Sequence, residues 1–308
     1  MKLSILIPTY NTPCLSLVRD LQRQCEAAGT SHEIIVMDDG STDHTAIATN
    51  KGIDDMPGCR YILLGENIGR ARIRNRLVGE ARGEWCIITD CDARVTDSNF
   101  INRYLSAACH ATEKTGVIVG GLANPEHQPG PYTSLRYRYE KAAEAKRSLT
   151  YRQRHPYADF ATFNFMARRE VLTAIPFCDD LREYGYEDTL MGIELQRKGI
   201  GITHIENSLE HTGIEHNSIF LKKTETALHT LVSHEHILMP LTPLGRTIIR
   251  LRRMHLLPIV RMVHHTIGGK LRENLLGLNP SLLAFKIYKL GYAACLLCDF
   301  SLSDFSPL

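Results

Sequence analysis

The chain has 308 residues, 44% hydrophobic and 23% charged, the balance of a globular protein large enough for two domains or one elaborated domain. A formal net charge of +2 argues against nucleic acid as the main partner. No run reaches the roughly 18 apolar residues of a spanning helix. The charge is uneven: from His236 onward nine Lys and Arg face three Asp and Glu, a net +6, against −4 for the remainder, so the tail is suited to meet something anionic. Nine cysteines, an odd number without regular spacing, do not look like a disulfide framework. With no basic-then-apolar leader at Met1, a reducing cytoplasm is the expected compartment.

Leu3-Ser4-Ile5-Leu6-Ile7 reads as a buried first strand, stopped by Pro8-Thr9-Tyr10-Asn11. Leu15, Val18, Leu21 and Cys25 then recur at helical spacing. Residues 33–37 form a second strand that ends in Asp38-Asp39-Gly40-Ser41-Thr42-Asp43, turn chemistry with a helix cap expected at Ser41 or Thr42. A third strand over 61–64 leads through Gly65-Glu66-Asn67-Ile68-Gly69 into a helix rich in Arg and Ala. The fourth, 85–89, runs into Asp90-Cys91-Asp92. Strands alternating with helices predict an α/β fold, its mostly parallel sheet covered on both faces.

Ligands of such open sheets bind outside the carboxyl ends of the strands. Three polar clusters fall at such ends: residues 8–11, 38–43 and 90–92. In extended backbone, residues two apart face the same way, so the carboxylates of Asp90 and Asp92 can converge while Cys91 points elsewhere. A carboxylate pair suits Mg²⁺, which fills its other positions with water and substrate phosphates; two exposed acids at a strand end have the same sequence. G-x-G-x-x-G and G-x-x-x-x-G-K-[ST] are both absent after the first strand, which sets aside dehydrogenases and P-loop enzymes.

Further along, a helix is expected over 98–113, a fifth strand over 117–121 and a loop over 124–131. The helical stretch 133–147 is strongly basic (Arg136, Arg138, Lys141, Lys146, Arg147), either a solvated face or one that meets a phosphate. Another strand over 160–166 carries Asn164 amid apolar neighbours. Tyr184-Gly185-Tyr186-Glu187-Asp188 precedes a helix over 189–198, and a strand over 201–206 leads to His211. A helix is expected over 215–235. Beyond it, short apolar helices over 244–254, 256–272 and 280–297 are edged with Arg, Lys and His. They suit either a cap packed on the body or a face lying in a membrane interface.

These residues resemble the inverting family-two glycosyltransferases with the GT-A fold. The matching pieces are residues 7–11, residues 38–43, Asn67-x-Gly69-x-Ala71-Arg72-x-Arg74-Asn75, residues 89–92, Glu187-Asp188 and His211, in the family's order and covering about residues 1–235. The resemblance implies a GT-A-type nucleotide-binding fold with a mostly parallel mixed sheet plus a helical C-terminal extension. Its expected divisions are a nucleotide-sugar half over 1–98, an acceptor and catalytic half over 99–235, and the extension over 236–308.

It further implies that Pro8 and Thr9 hold the base through backbone, that Tyr10 packs on the ring, and that Asp39 accepts a ring N–H, which favours uracil. Arg72 reaches base or diphosphate, whereas Arg74 and Arg76 read as surface residues. Cys91 lies within the nucleotide-sugar motif without a ligand role. Asp90 and Asp92 hold the ribose and Mn²⁺ or Mg²⁺ between them, with Asp92 nearest the metal and His211 completing the site; an imidazole sits more naturally on Mn²⁺. Glu210 and Glu215 have weaker claims. Asp188 is the implied base, while Glu187 contacts acceptor or shapes the site. The expected function is metal-dependent, inverting transfer of a sugar from a nucleotide-diphosphate donor, UDP-linked, to a glycan or lipid-linked glycan hydroxyl, as in cell-surface polysaccharide synthesis, on the inner face of the cytoplasmic membrane. A sugar nucleotidyltransferase and a non-catalytic nucleotide- or glycan-binding scaffold are the rivals. The first lacks its Gly-rich, Lys-bearing loop, and the intact acidic motifs speak against the second.

Overall fold

The computed structural model describes residues 2–179 and 185–303. Tyr184 of the expected acidic turn and the last five residues of the expected extension lie outside them. Seven strands form the main sheet in the order β3-β2-β1-β4-β8-β6-β9. They are β1 (Lys2–Thr9), β2 (Ser31–Asp38), β3 (Cys59–Leu63), β4 (Trp85–Thr89), β6 (Thr115–Val119), β8 (Asn164–Arg168) and β9 (Gly201–His204). β5 (Ala93–Arg94), β10 (Leu209–His211) and β7 (Leu122–Ala123) make a second, three-stranded sheet. β8 runs antiparallel to both β4 and β6, and the other neighbours in the main sheet are parallel, so the sheet is mixed but mostly parallel.

The apolar runs are continuous because both faces of the central strands are covered. Leu3, Ile5 and Ile7 of β1 point into one cluster with Val18 and Leu21 of α1 (Leu15–Ala27) and, beyond α2 (His44–Lys51) and α3 (Arg70–Glu80), Phe100 and Tyr104 of α4 (Phe100–Cys109). Leu6 points to the opposite cluster, with Ile35, Ile88, Phe165 and, from α3, Ile73 and Leu77. The period of two along β1 thus divides its side chains between the two cores.

Several boundaries differ from the sequence expectation for local reasons. α2 is capped by Asp43, not Ser41 or Thr42: the Asp43 carboxylate accepts the N–H groups of Thr45 (2.8 Å) and Ala46 (3.2 Å). The fifth long strand stops at Val119, because Gly121 turns the chain at φ +103. β8 starts at Asn164 rather than at 160, where it comes into register opposite Thr89. The small sheet was not foreseen. Strands of two and three residues are too short to display a period.

By contact density the described chain divides into two compact units. The first holds both sheets and comprises, among the described residues, 2–125, 143–179 and 187–213, including α6 (Leu149–Arg154), α7 (Arg169–Ala174) and α8 (Glu187–Arg197). The second is helical and comprises, among the described residues, 126–142, 185–186 and 214–303. Most of α5 (Ser134–Glu144) belongs to it, and so do α9 (Asn217–Ser233), α10 (Glu235–Leu238), α11 (Pro243–Arg253), α12 (Leu257–Leu276) and α13 (Leu282–Ser303). α9 therefore groups with the tail rather than with the sheets, and α12 and α13, at 20 and 22 residues, are not short. In this unit Asn217 is fully buried; its Oδ1 accepts the Leu135 N–H (2.8 Å) and its Nδ2 donates to the Gly277 carbonyl (2.8 Å).

The arginines of the basic stretch around α5 are spent within the units. Arg136 pairs with Glu140 (2.7 Å) and Glu215 (2.8 Å), Arg138 donates to the Pro280 carbonyl (3.1 Å), and Arg147 pairs with Asp159 (3.0 Å).

Asn164 is the polar hub of the sheet unit. Its Oδ1 accepts the Tyr104 hydroxyl (2.7 Å), and its Nδ2 donates to the carbonyls of Gly121 (2.9 Å) and Asn207 (2.8 Å). Asn164→Leu leaves these buried groups without that partner and is expected to cost about 3 kcal/mol, measured as a lowered midpoint in chemical denaturation.

Candidate active site

Two turns at the carboxyl end of the sheet are stapled together by side chains. Asn11, at φ +50, accepts the N–H groups of Thr42 (2.8 Å) and Asp43 (2.9 Å) on its Oδ1, while its own N–H donates to Ser41 Oγ (2.6 Å). The Thr9 carbonyl accepts the Asp39 N–H (2.9 Å). Asp38 is fully buried, accepting the Ser41 N–H (2.8 Å) and the Tyr61 hydroxyl (2.5 Å). Burial and then that carboxylate push the Tyr61 phenol well above its ordinary range. Asp39 accepts the Ile68 N–H (2.7 Å) on one oxygen and the Gly69 N–H (3.1 Å) on the other, so it fixes the loop that enters α3. Gly40 is required in this turn: at φ +70, a Cβ would lie 2.6 Å from the Glu66 carbonyl carbon. Pro8 is half-buried, and the Tyr10 ring is 46% exposed, open to contact.

At the end of β4 the two acids take different partners. Asp90 Oδ1 accepts from Arg74 Nη2 at 2.7 Å, and its Oδ2 lies 3.8 Å from Arg70. Arg70 and Arg74 are one turn apart on α3 and share a face. Arg74 is not a surface residue: it is 2% exposed, its guanidinium lies 5.7 Å from the Phe177 ring, and its Nε finds no hydrogen-bond partner among the described residues. Arg72 pairs with Asp179 (3.4 Å) and stays more than half exposed. Asn75 clamps Phe177, accepting its N–H (2.8 Å) and donating to its carbonyl (2.9 Å).

Asp92 meets His211, with Nε2 3.2 Å from Oδ2. The small sheet brings them together, since β10 pairs with β5 so that His211 stands opposite Ala93. Beyond β10, Thr212 wraps the Asp92 backbone: its N–H (2.8 Å) and hydroxyl (2.7 Å) both donate to the Asp92 carbonyl. Gly213 then leaves room for the carboxylate, for a Cβ there would lie 1.9 Å from Asp92 Oδ2. His211 is 3% exposed and stands edge-on to Phe163 at 5.3 Å. The Cys91 thiol is pushed up to about 11 by burial, with the neighbouring Asp92 charge adding to it, so it stays protonated and is a poor ligand. Glu210 pairs with Arg94, and Glu215 with Arg136 and Lys223.

Asp188 stands in the first turn of α8, directly after Glu187. It keeps some accessible surface, yet protein closely surrounds its carboxyl, and burial raises its pKa above the ordinary carboxylate value. The Thr162 hydroxyl, donating to Oδ1 at 2.6 Å, and the charge of Arg74 oppose that rise; Glu187 adds to it, and Arg70 lowers it a little. The same two guanidinium groups therefore act on Asp188 and on Asp90, which links the α8 terminus to the β4 mouth.

The expected three-donor set of Asp90, Asp92 and His211 is not formed, because Asp90 is turned to Arg74. No group of three His, Cys, Asp or Glu side chains gathers in metal-binding geometry among the described residues. Asp92 and His211 form a two-donor pair, to which a hard cation can add water and phosphate oxygens.

Fold and site together define a GT-A-type protein. Residues 4–175, more than half of the chain, match the family model described as Glycosyl transferase family 2, and the chain belongs to that family. Among curated proteins it is similar to a dolichyl-phosphate beta-glucosyltransferase of Dictyostelium discoideum, 30% identical over 133 residues, 40% of this chain and 40% of the relative. It is also similar to the succinoglycan biosynthesis protein ExoO of Rhizobium meliloti (strain 1021), 34% identical over 92 residues, 30% of this chain and 26% of the relative. The chain thus spans less than half the length of these relatives. Among solved structures, the mannosyltransferase PcManGT of Pyrobaculum calidifontis, in complex with GDP-Man and Mn²⁺, superposes with a TM-score of 0.57 at 15% identity, covering 99% of this chain and 88% of that one.

Sequence reasoning missed Arg70, Arg74, Thr162 and Gly213. For Arg74 a signal existed: it lies beside Ile73 and Leu77 on the buried stripe of α3, where an arginine must have a partner. Gly213→Ala is expected to push the Asp92 carboxylate off its seat beside His211. Calorimetric titration should then find Mn²⁺ affinity about tenfold to a hundredfold weaker, with little change in melting temperature.

Proposed function

We propose that the protein is a metal-dependent, inverting glycosyltransferase that moves a sugar from a UDP-linked donor to a hydroxyl of a glycan or lipid-linked glycan. The observation that carries this reading is the meeting of Asp92 with His211 at the end of β4, where Arg74 and Arg70 hold Asp90 while their charges also reach Asp188. Tyr10 offers an exposed ring for the base, and Asp39 and Gly40 shape the turn that receives it. Asp92 and His211 are the residues that hold the cation, with Mn²⁺ favoured by the imidazole and Mg²⁺ the other candidate. When bound, that cation offsets the charge growing on the departing diphosphate. Asp90, tied to Arg74, positions that guanidinium and faces the ribose. Arg70, exposed at the same mouth, offers the diphosphate a charged donor.

Asp188 accepts the proton of the acceptor hydroxyl as that oxygen attacks the anomeric carbon and the bond to the diphosphate breaks. A carboxylate held above its ordinary pKa by burial is a stronger base than one in water, and Thr162 fixes which oxygen is turned away from the acceptor. Glu187 shapes the acceptor side. The printed names of the relatives, one a dolichyl-phosphate glucosyltransferase and one a succinoglycan protein, support a lipid-linked or polysaccharide acceptor. On this reading the protein works peripherally at the inner face of the cytoplasmic membrane, where a lipid-linked acceptor resides.

Asp188→Asn keeps the shape and removes the base. Transfer is expected to fall by about 10²- to 10⁴-fold while UDP and Mn²⁺ binding stay nearly intact. Full transfer in that variant ends the assignment. Thr162→Val tests the proton chemistry by sign. The lost hydrogen bond had favoured the ionised form, so Asp188's pKa rises further and the acid limb of the pH–rate profile moves to higher pH. An acid limb that stays put, or moves down, contradicts the role given to Asp188.

A further inference from the structure

The helical unit has features that sugar transfer does not use. A cavity of about 690 Å³ opens among α9, α10, α12 and α13, with apolar walls from Val232, Leu257 and Pro258 and a polar rim of Arg252, His255 and Arg261. Arg252 is paired with Glu235 at 2.7 Å, whereas Arg261 has no carboxylate partner among the described residues. A second cavity of about 520 Å³ shares Pro258 and Arg261 with the first and is lined further by Met262, His265 and Thr266.

Along α12, Ile259, Met262, Val263 and Thr266 are exposed at spacings of three and four, one stripe on one face. Met262 is 63% exposed and Ile259 53%, unusual for such side chains on a face otherwise bordered by cations. Arg246, Arg250 and Arg253 stand on the exposed side of α11, and Lys270 continues the α12 stripe. Residues 243–276 carry seven Lys and Arg against a single Glu. No helix among the described residues is long and apolar enough to cross a membrane.

We propose that this face is a docking site for an anionic bilayer surface. The α12 stripe enters the boundary between headgroups and acyl chains, and Arg261, at the edge of both cavities, takes a lipid phosphate. Charge complementarity selects this occupant. Of the seven cations over 243–276, Arg252 is met by Glu235 and Arg272 lies 3.8 Å from Glu225, which leaves Arg246, Arg250, Arg253, Arg261 and Lys270 without a carboxylate partner among the described residues. That excess suits a surface of dense negative charge, and the exposed apolar stripe of α12 suits the layer beneath. An acidic protein surface offers the charge without a depth of acyl chain, and a second copy of this chain would bring like charge to like. The inference rests on the transfer reading only for its purpose, which is to hold the enzyme where a lipid-linked acceptor resides.

The test is co-sedimentation of the full chain, without nucleotide sugar, with vesicles of phosphatidylcholine alone or mixed with phosphatidylglycerol. Binding is expected only to the mixed vesicles, and it should weaken as salt rises. Met262→Asp and Arg261→Glu should each lower the partition coefficient by about tenfold, with melting temperature and UDP release from UDP-sugars in solution unchanged. Met262 is exposed enough for its variant to fold, so the test does not depend on Arg261. Equal binding to both vesicle types overturns the proposal, as does binding untouched by either variant. So does the absence of binding, with or without a dimer that Met262→Asp dissolves. Vesicle binding without any sugar-nucleotide turnover would instead sink the transfer reading and leave docking standing.

Discussion

The contact on which the sheet unit's chemistry depends is the 2.7 Å ion pair between Arg74 and Asp90, whose guanidinium side chain is only 3% exposed. A guanidinium withdrawn from water is costly unless a carboxylate meets it, and removing one partner of such a pair is strongly destabilising. The pair therefore fixes the position of α3 against the end of β4. It also sets the two acids of the motif apart. Asp90 is neutralised by protein, and Asp92 is turned toward His211.

The same cations make the crowding of acids tolerable. Glu187 and Asp188 stand side by side at the start of α8, and burial, with the Glu187 charge adding to it, raises the proton affinity of Asp188. Arg74 and Arg70 limit that rise at Asp188 without cancelling it. What remains is a carboxylate more basic than a solvated one, held in place by Thr162. Holding it in the ionised form costs stability, so the sheet unit carries some strain at this mouth for the sake of chemistry.

Much of this was legible in the sequence. The alternation of buried strands and helices, the acidic clusters at strand ends, and the pairing of Asp92 with His211 all followed from period, turn chemistry and family resemblance. What was not legible depended on a rotation or on space. Arg74 was expected at the surface, yet about 100° per residue around α3 turns it to the buried side with Ile73 and Leu77. Asp90 was expected to share the metal, and only the coordinates reveal that Arg74 already occupies it. Gly213 left no trace in the sequence because its contribution is the absence of a side chain where the Asp92 carboxylate lies.

The most direct measurement is diffraction at the manganese edge from crystals grown with UDP and Mn²⁺. The account requires an anomalous peak within coordination distance of Asp92 and His211, with Asp90 still bonded to Arg74. A peak held by Asp90 with Arg74 displaced, or one remote from His211, would contradict it.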